Sequence, residues 1–349
     1  MKNFLKQTFV ATAVVATLVS CANAQQGNGT QSQTKRELLS QFLSPNAKHD
    51  YVPAAFFLHF PDKLGEKAAL EHIEYFRATN MDFVKIQYEQ VVPKVVTKAA
   101  DFANVPVYDE DYWAPQVAVI KQIADSLKEG AFILPTVYSP LSLVRQSVDF
   151  SIRGEEFKKL LTENPELTEK AFANIEKSIE NYISAARKAG ADGFYVSSQG
   201  GDTKSLAGTT LWNDFVRKYD KKVSEYAYSV SDLTILHVCD YGSSYKELDS
   251  YADYPSTIIN PPIHLEEGEV DLKHIAEVFK RPVFGGLDRL GVVAKGSIEE
   301  AKAAVDKVLS NAPDNFILGA DCTVPSDTEY SRLRTIIDYA HTWRQTHKK

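Results

Sequence analysis

The sequence predicts an α/β protein built as a (β/α)8 barrel, and two observations carry that expectation. From residue 50 onward, short β-type runs alternate with amphipathic helical stretches, the signature of a parallel sheet wrapped in helices. Polar residues also gather just where those runs end, which is where barrels of this kind keep their chemistry. No strong linker interrupts residues 50–349, so they are expected to form a single domain.

The runs come in order along the chain. Ala55 to Phe60 is the first, followed by a helical stretch from Lys67 to Thr79 and a second run from Phe83 to Tyr88. Pro93 to Pro115 falls outside the alternation and reads as an insertion. Phe132 to Tyr138 is the third run, and the helical stretch Ser151 to Asn164 is a second insertion before the long amphipathic segment Glu169 to Ala189. Gly193 to Ser198, Thr234 to Cys239 and Thr257 to Asn260 are the fourth to sixth runs. Leu272 to Phe279 is helical, Val283 to Leu287 is the seventh run, Glu299 to Leu309 is helical, and Phe316 to Ala320 is the eighth. These runs are largely apolar rather than alternating, as suits strands covered on both faces. Gly285-Gly286 marks close backbone approach at a strand end rather than a phosphate cradle.

With 349 residues and 44% hydrophobic content, the chain can bury a large core. A net charge of -7 and the lack of a basic cluster exclude binding of nucleic acid by phosphate neutralisation. Residues 1–24 read as an export signal. Lys2 and Lys6 precede an apolar stretch from Phe9 to Val19 that is too short to span a bilayer. Two cleavage readings stand side by side: Leu18-Val19-Ser20-Cys21 as a lipoprotein box with Cys21 lipidated, and Ala22-Asn23-Ala24 as a signal-peptidase site. The expected location is therefore the bacterial envelope, periplasmic or lipid-anchored. Residues 25–49 read as a polar tether, disordered over its Gly/Gln/Ser-rich part, with a helix leading into the barrel.

Beyond the leader only two cysteines remain, Cys239 and Cys322, and His237 stands two residues before the first. Two thiolates and an imidazole form a ligand set suited to zinc, with a fourth position left for water or substrate. His237 and Cys239 close the fifth run and Cys322 follows the eighth, so a barrel brings them to one rim. In an oxidising compartment the same two cysteines could instead form a disulfide. Other polar residues reach that rim: His59, Gln87, Tyr88, Glu89, Tyr138, Ser197, Ser198, Gln199, Asp202, Asp240, Tyr241, Asn260, Asp288, Arg289 and Asp321. For each alone, a solvated loop residue or a cap is the plainer reading. Lys85, inside a run, is read as snorkelling from a seam between helix and barrel, with the mouth as the alternative. His72, His264, His274, His341 and His347 are expected at the surface.

Five separated motifs now point to a family. They are Asp82-Phe83-Val84-Lys85-Ile86, Gly190-Ala191-Asp192-Gly193-Phe194-Tyr195, Leu236-His237-Val238-Cys239, Gly285-Gly286-Leu287-Asp288 and Ile317 through Pro325. In them the chain resembles the uroporphyrinogen decarboxylase superfamily of (β/α)8 barrels. True decarboxylases of that superfamily carry Met-Arg-Gln-Ala-Gly-Arg-Tyr near the start, where this chain has Phe57-Leu58-His59-Phe60-Pro61-Asp62 and no arginine clamp for a polycarboxylate. Their catalytic aspartate would fall near Glu89. The H-x-C…C set is instead similar to that of the zinc-dependent, corrinoid-linked methyltransferases.

That resemblance implies zinc on His237, Cys239 and Cys322, a thiol substrate at the open position, and a methyl group delivered from a corrinoid on a partner protein. It also implies Glu89 as a further ligand or base, and Asp288 as a catalytic residue that positions substrate. His59, Tyr138, Gln199 and Asn260 would then contact substrate. Two other readings stay open: a tetrapyrrole decarboxylase with Glu89 in the aspartate's role, and an exported, non-catalytic binder of a corrinoid or porphyrin.

Overall fold

The computed structural model describes residues 33–45, 47 and 50–347. The leader, Cys21 and the tether as far as residue 32 lie outside the described residues. The elements run α1 (Lys35–Phe42), α2 (Gly65–Thr79), β1 (Phe83–Ile86), α3 (Glu110–Leu127), β2 (Phe132–Tyr138), α4 (Pro140–Ser147), α5 (Gly154–Glu163), α6 (Pro165–Lys188) and β3 (Gly193–Ser198). They continue with α7 (Lys218–Ser229), β4 (Leu233–Val238), β5 (Ile258–Asn260), a hairpin of β6 (His264–Leu265) and β7 (Gly268–Glu269), α8 (Leu272–Phe279), β8 (Val283–Leu287), α9 (Ile298–Asn311), β9 (Phe316–Ala320) and α10 (Tyr330–Thr346). No described helix is long and apolar enough to cross a membrane.

Seven strands form one parallel sheet in the order β1-β2-β3-β4-β5-β8-β9. The eighth position is filled by a segment too short to count as a strand. Ala55 donates its N–H to Leu318 O at 3.0 Å, Leu318 donates to Pro53 O at 2.8 Å, and Asp82 donates to Ala54 O at 3.0 Å. Pro53 to Ala55 thus stands between β9 and β1 and closes the ring. The expected strand from Ala55 to Phe60 leaves the ladder almost at once because its carbonyls find other partners. Tyr75 OH donates to Phe56 O, Val324 N–H to Phe57 O and the Gln87 amide to Leu58 O. A second departure lies between β4 and β5, where only the short 3-10 turn Asp249–Tyr251 replaces a covering helix. Within the supposed insertion, helix α3 begins at Glu110, capped by the Asp109 side chain on Tyr112 N–H.

Alternation along each strand divides the core in two. Val84, Ile86, Phe194 and Val196 face the helices, whereas Phe83, Tyr195 and Phe284 point inside the ring. There Phe57 lies 5.7 Å from each of Phe83, Tyr195 and Phe284, ring centre to ring centre, and these four rings fill the lower barrel. Gly319 makes room for them, since a Cβ there would come within 2.2 Å of the Phe284 ring.

The end of the ring at which the strands begin is held by two buried aspartates. Asp82 accepts from Ala54 N–H (2.7 Å), Tyr51 OH (2.5 Å), Lys35 (3.3 Å) and His341 (2.8 Å). Asp192 accepts from Ile133 N–H (2.8 Å) and Arg36 (2.6 Å). Adjacent residues of α1 therefore reach both carboxylates, while Leu39 and Phe42 bury beneath them. His341 and His72, both expected at the surface, are buried: the first on Asp82, the second donating to Ala68 O at 2.7 Å. Each is neither solvated nor free, because a helix residue facing the sheet needs a polar partner there.

Two stability measurements follow from these buried acids. Removing the Asp82 carboxylate leaves Lys35, Tyr51 and His341 without their acceptor, so Asp82→Ala is expected to cost about 3–5 kcal/mol in urea unfolding; a loss below 1 kcal/mol would contradict this role. Asp220 on α7 accepts from Ser198 Oγ, and burial pushes its carboxyl up to about 7. A raised carboxyl favours folding fully below its unfolded value and loses that contribution as pH rises through 7. Asp220→Asn should therefore be more stable than wild type by about 1 kcal/mol or more at pH 8, with the advantage fading by pH 4. Equal gains at both pH values would refute the assignment.

Candidate metal centre

At the opposite end of the ring, strand register sets the site. Ser197, His237 and Asn260 are direct neighbours across β3, β4 and β5, so these inward-facing positions lie side by side. Cys239 extends β4 by one more rung, its N–H donating to Ser198 O at 3.0 Å, and Tyr245 OH holds its carbonyl at 2.8 Å. Cys322 sits in the loop after β9, which is pinned on both sides. Asp321 N–H donates to Leu287 O at 2.9 Å and Val324 N–H to Phe57 O at 2.8 Å.

One ligand atom from each of His237, Cys239 and Cys322 lies within 4.8 Å of the other two. Both cysteines are free thiols rather than a disulfide. His237 is buried, and neither of its ring nitrogens has a hydrogen-bond partner among the described residues. A buried imidazole without a partner is costly, and a cation shared with two sulfurs would supply one. Two sulfurs and one nitrogen match the soft, tetrahedral preference of zinc, which would leave a fourth position for water or substrate.

The two thiols do not behave alike. Cys239 is raised, first by its hydrogen bond with Cys322 and then by burial. Cys322 is lowered, first by that same bond, against its own burial and with the Arg289 guanidinium adding to the pull. The shared hydrogen bond therefore makes Cys322 the more acidic of the two thiols.

Around these residues opens a cleft of about 790 Å³. Its walls include His59, Tyr138 and Gln199, as the sequence indicated, and also Lys85, Arg145 and Arg289. Gln199 accepts from Ser142 Oγ at 2.6 Å, and Tyr138 packs edge-on against Tyr88 at 5.2 Å. Glu89 stands behind His59, 2.9 Å from its Nδ1 and 3.3 Å from Lys63. Burial pushes the Glu89 carboxyl up, but His59 and Lys63 outweigh it and hold it below its ordinary value.

Two residues named from sequence lie elsewhere. Asp288 is exposed and turns its carboxylate onto Leu290 N–H at 2.8 Å, away from the cleft. Its neighbour Arg289 enters instead, bound to Asp240 at 2.9 Å and Asp321 at 3.4 Å. Burial pushes Asp321 up to about 6, against the Arg289 N–H bond that lowers it. Asn260 is fully buried below the cleft, accepting from Tyr195 OH at 2.5 Å and donating to Phe284 O at 2.8 Å. It braces the barrel interior.

Lys85 also departs from its sequence reading. It does not snorkel to a seam: it shares the inward face of β1 with Phe83 and is 8% exposed. Its ammonium donates to Gln87 Oε1 at 2.8 Å and lies over the Tyr195 and Phe57 rings at 4.9 and 5.4 Å. Burial pushes it down to about 8, against the pull of Cys322, Cys239 and Glu89. The signal available in the sequence was the two-residue alternation with Phe83.

Comparison with known proteins bears on the family and the fold. The sequence model for uroporphyrinogen decarboxylase (URO-D) matches residues 78–343. No curated protein matches by sequence. Among solved structures, a methyltransferase from Methanosarcina mazei superposes with a TM-score of 0.67 at 15% identity, covering 89% of this chain and 99% of that one. A B12-independent methionine synthase from Shewanella sp. W3-18-1, in complex with selenomethionine, gives 0.54 at 13% identity, covering 85% and 98%. At such identities the likeness is one of fold.

The asymmetry of the thiols is directly measurable. Iodoacetamide at pH 7 should alkylate Cys322 of metal-free protein at least about tenfold faster than Cys239, since the thiolate is the nucleophile. Peptide mapping by mass spectrometry reads the ratio, and equal rates would refute this difference in acidity.

Proposed function

Because the chain belongs to the uroporphyrinogen decarboxylase family, we propose that it is an exported, zinc-binding methyltransferase that moves a methyl group between a corrinoid or methylated donor and a small-molecule thiol. The observation that carries this reading is the convergence of His237, Cys239 and Cys322 on one point at the mouth of the ring. A divalent ion held there supplies a Lewis acid that lowers the pKa of a thiol at its open position. The protein's own contribution is placement. Backbone hydrogen bonds to β3 and β8 and to Phe57 fix the chain at Cys239 and on either side of Cys322, before any ligand is bound. Arg289, tied to Asp240 and Asp321, forms the wall beside Cys322 and holds that loop in place. His59, held from behind by Glu89, and Gln199 with Ser142 also line the cleft and offer polar contacts for orienting the substrate. The donor approaches through the open mouth, where a corrinoid carried on a partner protein would dock.

The decarboxylase reading finds less support. A polycarboxylate needs several free cations, and of the three on the cleft wall Arg289 is bound to two carboxylates, Arg145 donates to Ile152 O and Lys85 to Gln87 Oε1.

Metal content tests the proposal. Purified protein should carry one zinc per chain by mass spectrometry. His237→Ala should weaken zinc binding strongly, and Cys239→Ala with Cys322→Ala should abolish it, because each removes a direct ligand. Chelation should remove thiol methylation and zinc should restore it. Wild-type protein without stoichiometric zinc, or a His237→Ala/Cys322→Ala variant that keeps it, overturns the reading.

A further inference from the structure

Among the described residues, Lys85 is the one lysine or arginine side chain buried inside the ring, and its hydrogen-bond acceptor is itself tied down on three sides. Gln87 accepts from its ammonium, and Gln87 is itself fixed through Leu58 O, through the Gln116 amide on its carbonyl, and through its N–H on His72. No carboxylate pairs with Lys85 among the described residues; its hydrogen-bond acceptor is a neutral amide. A buried ammonium without a counter-ion is expensive, so its place on the cleft wall with Cys239 and Cys322 calls for a negative charge nearby.

Charge counting supplies one. Two thiolates and a neutral imidazole leave a divalent ion electrically neutral. A substrate thiolate in the remaining position puts one negative charge in excess inside a cleft of low dielectric. We propose that Lys85 is the fixed counter-charge for that excess, so that the site selects its acceptor in the thiolate form. This inference rests on the metal reading above and adds a role for a residue outside the ligand set. Lys85 is a positioning residue here, acting through the field at the cluster rather than by accepting a proton.

The groups facing Lys85 are few. Glu89 stands at the rim, bound to His59 and Lys63. Tyr195 is raised well above its ordinary range by burial, and His72 behind the strand is lowered to about 4 by burial, so neither carries charge at neutral pH. Cys239 and Cys322 complete the surroundings, and both attract the ammonium.

The test is a calorimetric titration of zinc-loaded protein with 2-mercaptoethanol from pH 5.5 to 7.5, below the range in which Lys85 itself loses its proton. Two buffers of different ionisation heat are used, so that proton release is counted. Wild type and Lys85→Arg should release the thiol proton over the same pH range. Lys85→Met, and Lys85→Gln as a second neutral variant, should release it only at higher pH and bind about tenfold more weakly at pH 7, with zinc content unchanged. Full zinc content with coincident profiles in all four proteins overturns the inference alone. Wild-type protein that holds no zinc overturns the metal reading and this inference with it.

Discussion

The Asp82 carboxylate is the joint on which this architecture turns. A parallel ring must close somewhere, and here it closes on three residues, Pro53 to Ala55, with only a few backbone bonds to their neighbours. Asp82 reinforces that weak seam by accepting from the Ala54 N–H while holding Tyr51, Lys35 and His341. One side chain thus ties the first segment, β1, α1 and α10 together. Such a charge is tolerable inside protein only because every partner is present.

The consequence reaches the far end of the molecule. Closure directs Phe57 into the interior, where it completes the aromatic floor with Phe83, Tyr195 and Phe284. That floor carries Lys85, and the Phe57 carbonyl pins the loop of Cys322 through Val324. The loop that carries Cys322 is thus held in part by the segment that closes the ring. Rigid strands transmit this placement with little loss, which explains why a site can be organised before any ligand arrives.

Much of this was legible in the sequence, for definite reasons. Seven of the eight runs became strands because continuous apolar stretches between helices have few other options. His237, Cys239 and Cys322 were readable because residue type and strand-end position agreed. What escaped depends on partners far away in the chain. The first run was shortened by side-chain donors from Tyr75 and Gln87 that no local pattern announces. His341 looked like a surface residue until the Asp82 pairing, 259 residues away, brought it inside. Asp288 and Arg289 are neighbours, and which of them enters the cleft is decided by a turn that points the aspartate at Leu290 N–H. Lys85 faces inward because it shares the Phe83 side of β1, a direction that its charge does not announce.

Helix α1 has one more implication. Lys35 and Arg36 bind at the starting ends of β1 and β3, so residue 33 leaves the barrel on the face opposite the cleft. A bead, an electrode or a fused carrier joined directly at residue 33 would meet the closed base and leave the mouth open to solution. Immobilised this way, the molecule should present its reactive face outward, with no engineered spacer needed to orient it.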